Sequence, residues 1–255
     1  MEITPSDGVY SATHEFCAVQ GEYYLNVLAR LHAYLKPSTY FEIGTSAGGT
    51  LKLANCKSLA IDPAFQINTN AIGAKPSCML FQCTSDRFFR DHSPSAIFGS
   101  AVDLAFLDGL HLFEQLLRDF LNTERHCASD SVVALHDCVP ADRWMAERVY
   151  TEECKKESQR PGWWTGDVWK CLPALKKYRP DLRILVVDAA PTGLVLITNL
   201  DPKSSVLGEN YWKIVDEFFD LDIAQYGIRK HQSNCAMIST KDLERPHDIS
   251  KFFRL

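Results

Sequence analysis

The stretch Thr39-Tyr-Phe-Glu-Ile-Gly44-Thr-Ser-Ala-Gly48-Gly49 decides how this chain folds. Its first half, aromatic and β-branched, predicts a short strand over Thr39 to Gly44. The glycines after it predict a sharp turn where backbone lies open to a ligand, and Thr50 to Asn55 predicts a return to helix. A second strand, Ser58-Leu-Ala-Ile-Asp62, ends in a carboxylate eighteen residues beyond Gly44 and is closed by Pro63.

The same alternation continues outward. Before the glycine turn, Leu25, Leu28, Leu31, His32 and Leu35 recur at helical spacing, predicting a helix from Glu15 to Lys36 that Pro37 stops. After it come a third strand at Cys78 to Cys83 and a helix beginning over Ser85 to Arg90. A fourth strand, Val102 to Leu107, runs into Asp108-Gly109, and a helix spans Phe113 to Glu124. A fifth strand, Ser131 to Leu135, runs into His136-Asp137. Strands alternating with helices imply a parallel sheet covered on both faces. Val139 to Arg160 reads as polar helix broken by Pro161-Gly-Trp-Trp-Thr-Gly166, and Val168 to Tyr178 as helix. Two late strands, Leu182 to Asp188 and Gly193 to Asn199, are joined by a link too short for a crossover, so they predict an antiparallel hairpin. Val206 to Tyr226 reads as one more helix with Trp212, Val215, Phe218 and Phe219 on its apolar face. The expected fold is α/β: a doubly wound, seven-stranded, mostly parallel sheet with an antiparallel last strand.

Composition bounds the function. The 255 residues are 46% hydrophobic and 23% charged, with net charge -5 and a pI near 5.9. There is no Lys/Arg run longer than a pair, which argues against a nucleic-acid partner. Nine cysteines show no Cys-x-x-Cys pair and no paired framework, as expected for free thiols in a reducing compartment. Met1 to Tyr10 lacks the pattern of a signal peptide, and no apolar run reaches the roughly eighteen residues of a membrane span. The expectation is a cytoplasmic protein without membrane contact. It would form a single domain over 1–255, with an N-terminal helical segment (1–37), an insertion (139–170) and a C-terminal extension (203–255).

A glycine turn followed by an acidic strand end fits a dinucleotide or S-adenosylmethionine, since the carboxylate can accept both ribose hydroxyls. Three features favour the second. Glu42 precedes the first glycine, where a pyrophosphate would repel it. The glycines are spaced G-x-x-x-G rather than G-x-G-x-x-G. The late antiparallel hairpin departs from a six-parallel dinucleotide-binding sheet.

Glu42-x-Gly44-x-x-x-Gly48 resembles motif I of class I S-adenosylmethionine-dependent methyltransferases, a Rossmann-like family, and the similarity spans about residues 20–200. The resemblance implies a cofactor site of Glu42, Gly44, Thr45, Ser46 and Gly48 in the turn, and Asp62 on the ribose. It places Ser85 and Asp86 near the adenine, and Asp108 at the methionine end. Phe106-Leu-Asp-Gly-Leu-His111 resembles the D-G-x-H signature of a subfamily that includes cephalosporin-pathway and macrolide-sugar O-methyltransferases and is related to catechol O-methyltransferase.

Methyl transfer to a hydroxyl needs alignment and a base, or a metal that acidifies the hydroxyl. Asp108, His111 and His136 are the candidate catalytic groups, at the carboxyl ends of strands four and five where such sheets place their ligands. The resemblance also implies a divalent ion on Asp108, His136 and Asp137. His136 stands where the subfamily has an oxygen ligand. Imidazole suits magnesium poorly, so this swap directs the site toward manganese, iron or zinc, or removes the metal.

The insertion carries Trp144, Tyr150, Trp163, Trp164 and Trp169. Trp163-Trp164, flanked by Gly162 and Gly166, fits a mobile aromatic lid over a flat or sugar-like small-molecule acceptor, or a subunit interface of a homo-oligomer. Gly166 to Lys170 is similar to a recurrent stretch of the subfamily and suggests no chemistry by itself. The function expected is O-methylation of a small-molecule hydroxyl, with or without a divalent metal. The alternatives are a nicotinamide-dependent oxidoreductase and a non-catalytic protein retaining the fold.

Overall fold

A computed structural model describes residues 15–253. Met1 to Tyr10, the segment without a signal-peptide pattern, lies outside the described residues. Among these residues no helix is long and apolar enough to cross a membrane.

Seven strands form one sheet: β1 (Thr39–Ile43), β2 (Lys57–Ile61), β3 (Cys78–Phe81), β4 (Val102–Leu107), β5 (Cys127–His136), β6 (Arg183–Val187) and β7 (Leu194–Thr198). Their order is β3-β2-β1-β4-β5-β7-β6. β7 runs antiparallel to both β5 and β6, and all other neighbours are parallel. The hairpin link Ala189–Gly193 allows nothing else. β5 is longer than its apolar core suggested, because Ser129 and Asp130 at its start are exposed and carry no apolar signal.

Strand residues alternate between two apolar layers. Phe41, Ile43, Leu59, Ile61, Ala105 and Leu107 face one core, packed by α2 (Ser85–Asp91), α3 (Pro94–Phe98), α4 (Phe113–Glu124) and α6 (Cys171–Tyr178). Tyr40, Ala60, Leu104 and Phe106 face the other, covered by α1 (Tyr24–Leu35). α5 (Glu152–Glu157) lies in the insertion. Five short helices end the chain: α7 (Val206–Glu209), α8 (Tyr211–Phe219), α9 (Ile223–Tyr226), α10 (Ile228–Cys235) and α11 (Pro246–Ile249). α8 joins the first layer through Ile214, Val215 and Phe218. The last residues, Leu243, Ile249 and Phe253, close the second.

Several helical expectations are corrected. The N-terminal helix begins at Tyr24, not Glu15, because the preceding strap is bonded to the β6–β7 link: Gly21 N donates to Asp188 O at 2.8 Å and Ala190 N to Glu22 O at 2.8 Å. Gly21 permits that approach, since a Cβ there would lie 2.2 Å from Asp188 O. After the glycine turn only one 3-10 turn forms, Leu51–Leu53. The insertion is mostly turns, with α5 and a 3-10 turn at Val168–Lys170 its helical parts. The long helix expected over 206–226 is broken into three, and Trp212 and Phe219 are exposed rather than on its buried face.

Register aligns the strand ends. Ile43 pairs with Ile61 and with Leu107, and Leu107 with Leu135. Four strands therefore end level, and the residues just past them share one edge of the sheet. Strand order reverses between β1 and β4, the crevice where open α/β sheets bind ligands.

Candidate active site

Gly44, Asp62 and Asp108 leave the ends of β1, β2 and β4 and line a cavity of about 660 Å³. Ser46, Thr84, Ser85, Asp86, Gly109, Leu110, His111 and Gln115 complete most of its wall. Gly44 has φ +86°, and a Cβ there would fall 1.9 Å from Asp108 O. Only glycine lets the two strand ends pass this closely. The Asp62 carboxylate is fixed by two backbone donors, Ser46 N and Ala64 N, both at 2.7 Å.

Not every residue assigned to the cofactor reaches this wall. Ser46, Asp62, Ser85, Asp86, Gly44 and Asp108 do. Gly48, with φ +81°, closes the turn behind it through Gly48 N to Thr45 O at 2.8 Å. Thr45 is buried, and Glu42 is fully buried under the turn, where its Oε2 accepts from the Tyr40 hydroxyl and Oε1 has no partner among the described residues. Burial pushes the Glu42 carboxyl up to about 7. Gln115 had no sequence signal beyond its place on α4. Its amide donates to Ser85 Oγ (3.1 Å) and Asp119 Oδ1 (3.0 Å), tying α4 to the start of α2.

The carboxyl ends of β4 and β5 bring four titratable groups together. His136 Nδ1 lies 3.3 Å from both Asp108 Oδ1 and Asp137 Oδ1. His111 Nε2 lies 3.4 Å from Asp108 Oδ1 and from Asp137 Oδ2. Asp137 sits at φ +61°, a left-handed conformation unusual for a side-chain-bearing residue. That twist turns its carboxylate to the side His136 faces, and Thr192 Oγ1 donates to it at 2.6 Å. The ring of Tyr24 packs 4.2 Å from that of His136.

Burial opposes charge on these imidazoles, but the carboxylates outweigh it. The bond to Asp108 and the charges of Asp137 and Asp108 hold His111 up at about 9. The same two carboxylates raise His136 well above its ordinary value against full burial. Burial would raise Asp108, yet the two imidazoles hold it well below the usual carboxylate range.

Ligand atoms of Asp108, His111 and Asp137 all lie within 4.8 Å of one another, the spacing a metal ion could bridge. The set differs from the sequence expectation, which had His136 in place of His111. The reason lies in the insertion. His111 Nδ1 lies 2.7 Å from Trp164 O; a carbonyl only accepts, so Nδ1 carries the proton and Nε2 turns toward the carboxylates. Gly166 makes this contact possible, because a Cβ there would stand 1.7 Å from His111 O. Trp164 is itself held, its indole N–H donating to Glu147 O at 2.6 Å. Asp167 explains the next part of the stretch: it accepts from Phe113 N at 2.8 Å, capping α4 from 54 residues away, and pairs with Arg148 and Lys170.

Residues 41–138 match the model of a methyltransferase domain family, a segment that holds β1 to β5, the glycine turn, Asp62 and the whole carboxylate–histidine cluster. No curated protein sequence matches the chain. Among solved structures, cofactor-bound Rv0187 from MTB aligns with TM-score 0.51 at 12% identity, covering 73% of this chain and 85% of its own. A provisional O-methyltransferase from Klebsiella pneumoniae aligns with TM-score 0.50 at 13% identity, covering 76% and 82%. The sheet is that of the class I methyltransferases. The matched segment contains the glycine turn and Asp62, and it favours the methyl-donor reading of them over the nicotinamide one.

Proposed function

We propose that this chain, an S-adenosylmethionine-dependent methyltransferase by its matched domain and fold, methylates a hydroxyl oxygen of a small molecule, assisted by a divalent ion on Asp108, His111 and Asp137. One observation carries this reading: two carboxylates and a tautomer-fixed imidazole converge where the large cavity meets the insertion. The bound donor supplies an electrophilic methyl group on a sulfonium, so the protein's task is alignment and proton removal.

The residues fit both groups. Asp62 presents a carboxylate held rigid for the ribose hydroxyls, and Ser85, Asp86 and Gln115 offer polar groups at the opposite end of the cavity. Separations of 3.4 Å between His111 Nε2 and the carboxylates of Asp108 and Asp137 are wide for charge-assisted hydrogen bonds of about 2.7–2.9 Å. They are close to the edge of a coordination shell with bonds of about 2.0–2.2 Å. An ion there would acidify a bound hydroxyl as a Lewis acid. Without an ion the cluster balances its own charge, two imidazoliums against two carboxylates. Imidazole among the donors favours manganese, iron or zinc over magnesium. With an ion bound to the carboxylates, His136, which faces both of them from outside the metal-spaced set, would shed its own proton and take up the hydroxyl proton through them.

Titration of the metal-stripped protein with Mn²⁺ and Mg²⁺ tests the metal. We expect Mn²⁺ to bind at least tenfold more tightly, and Asp137→Asn to abolish the difference. Undetectable binding of either ion would overturn the metal assignment.

A further inference from the structure

A second cavity, about 360 Å³, opens on the other side of the carboxylate–histidine cluster. Tyr23, Trp163, Trp164, Pro191 and Asp137 line it, together with Ala190, Thr165 and Thr192. It shares no residue with the first cavity. The two meet only through the cluster, since Asp108 and His111 face the first cavity and Asp137 faces the second. From this arrangement we infer that the second cavity is the acceptor site, and that it takes a planar aromatic hydroxyl compound, a phenol, in preference to a sugar or other polyol. The inference rests on the methyltransferase reading and deepens it.

The chemistry of the wall makes the choice. Tyr23, Trp163 and Trp164 bring aromatic rings to the wall and Pro191 an apolar ring, surfaces on which a flat ring packs. A polyol would instead require several hydrogen-bonding groups, because each buried unpaired hydroxyl is costly. Thr165 and Thr192 are the two hydroxyl-bearing aliphatic side chains of this wall, and each already donates its proton within the protein. Thr165 Oγ1 donates to Met145 O at 3.0 Å, and Thr192 Oγ1 to Asp137. The Trp164 indole N–H is also committed, to Glu147 O. Apart from the Tyr23 hydroxyl and the Trp163 indole N–H, both at exposed positions, the polar side chain that remains is Asp137 at the inner end, placed to receive one hydroxyl. A phenol also ionises near pH 10, as tyrosine does, far more readily than an alkyl hydroxyl. Transfer would form the aryl O–CH₃ bond, break the S–CH₃ bond and leave the phenolic proton on the cluster.

The wall is held open rather than collapsed. Arg160 stacks 5.6 Å from the centre of the Trp163 ring and 5.6 Å from that of Phe16, bracing the outer tryptophan against the N-terminal strap. Tyr23 reaches the cavity because the strap is bonded to the β6–β7 link at Ala190.

Calorimetric titration separates the acceptor assignment from the methyltransferase reading. S-adenosylhomocysteine is titrated first, and failure to bind it would overturn the methyltransferase reading. 2-Naphthol and methyl β-glucoside are then titrated with and without saturating S-adenosylhomocysteine. We expect 2-naphthol to bind and the glucoside not to bind in the same concentration range. Tyr23→Ala and Trp163→Ala, both at exposed positions, should each weaken 2-naphthol at least fivefold and leave S-adenosylhomocysteine within twofold. Tighter or equal binding of the glucoside, no binding of 2-naphthol, or 2-naphthol affinity unmoved by both variants would each overturn the acceptor assignment.

Discussion

The Nδ1 atom of His111 lies 2.7 Å from the carbonyl oxygen of Trp164, and this contact turns Nε2 toward Asp108 and Asp137. A residue of the insertion thus sets the tautomer of a residue just past β4. Replacing the imidazole should remove a ligand and a proton carrier together. His111→Ala should lower kcat by about 10²–10⁴, with the affinity for S-adenosylhomocysteine within a few-fold of wild type. Retention of more than a tenth of the turnover would count against the role.

Gly166→Ala probes the same contact from the backbone. At φ +55° with 1.7 Å to His111 O, the new methyl group forces the 163–166 stretch away from His111. The expected cost in stability is about 1–3 kcal/mol, measured by denaturant unfolding. Metal affinity should fall as well, even where the variant remains folded.

Asp62→Ala removes the acceptor of the Ser46 and Ala64 amides and the carboxylate facing the cavity. S-adenosylhomocysteine should bind at least tenfold more weakly by calorimetry, while metal binding at Asp108, His111 and Asp137 stays unchanged. Equal loss of both would point to collapse of the strand ends instead.

Glu42 predicts a pH dependence. Its folded-state value near 7 lies above the ordinary 4.5, so between those pH values the folded chain binds more protons than the unfolded one. This group therefore costs nothing below about pH 4.5 and destabilises progressively as pH rises toward 7, by about 3 kcal/mol at the plateau. Glu42→Gln should raise the Tm of the ligand-free protein at pH 8 and leave it nearly unchanged at pH 4.5. A Tm shift equal at both pH values would show that Glu42 is not buried as a carboxylate.

Arg179 and Glu124 form a two-pronged ion pair buried between α4 and the end of α6, with contacts of 2.7 and 2.9 Å. Arg179→Met strands the Glu124 carboxylate and should cost about 3–5 kcal/mol in chemical denaturation. The double variant Arg179→Met with Glu124→Leu should recover most of it.

The strands and the glycine turn were legible because their signals are local. Apolar runs of the right length, bounded by Gly, Pro or Asp, report burial on both sheet faces. The short link at Ala189–Gly193 left the hairpin no parallel alternative. The helical expectations failed where the competing partner is distant in sequence. The helix was expected from Glu15, yet Gly21, Glu22 and Tyr24 are hydrogen-bonded to the β6–β7 link and Cys17 N to Ala141 O, which keeps the strap out of the helix. Trp212 and Phe219 look like a core face, but α8 buries the adjacent stripe of Tyr211, Ile214, Val215 and Phe218 and leaves them exposed.

Sequence alone placed Gly44, Asp62, Asp108 and Asp137 at strand ends, and level registers then made them neighbours. It did not reveal which histidine completes the metal-spaced set. That choice belongs to Trp164 and Gly166, more than fifty positions along the chain from His111. Nor did it reveal the second cavity, whose walls come from the strap, the insertion and the hairpin link. Strand ends are fixed by local periodicity and pairing; side-chain direction at the site is fixed by backbone groups from remote segments, and only the folded chain brings those groups into contact.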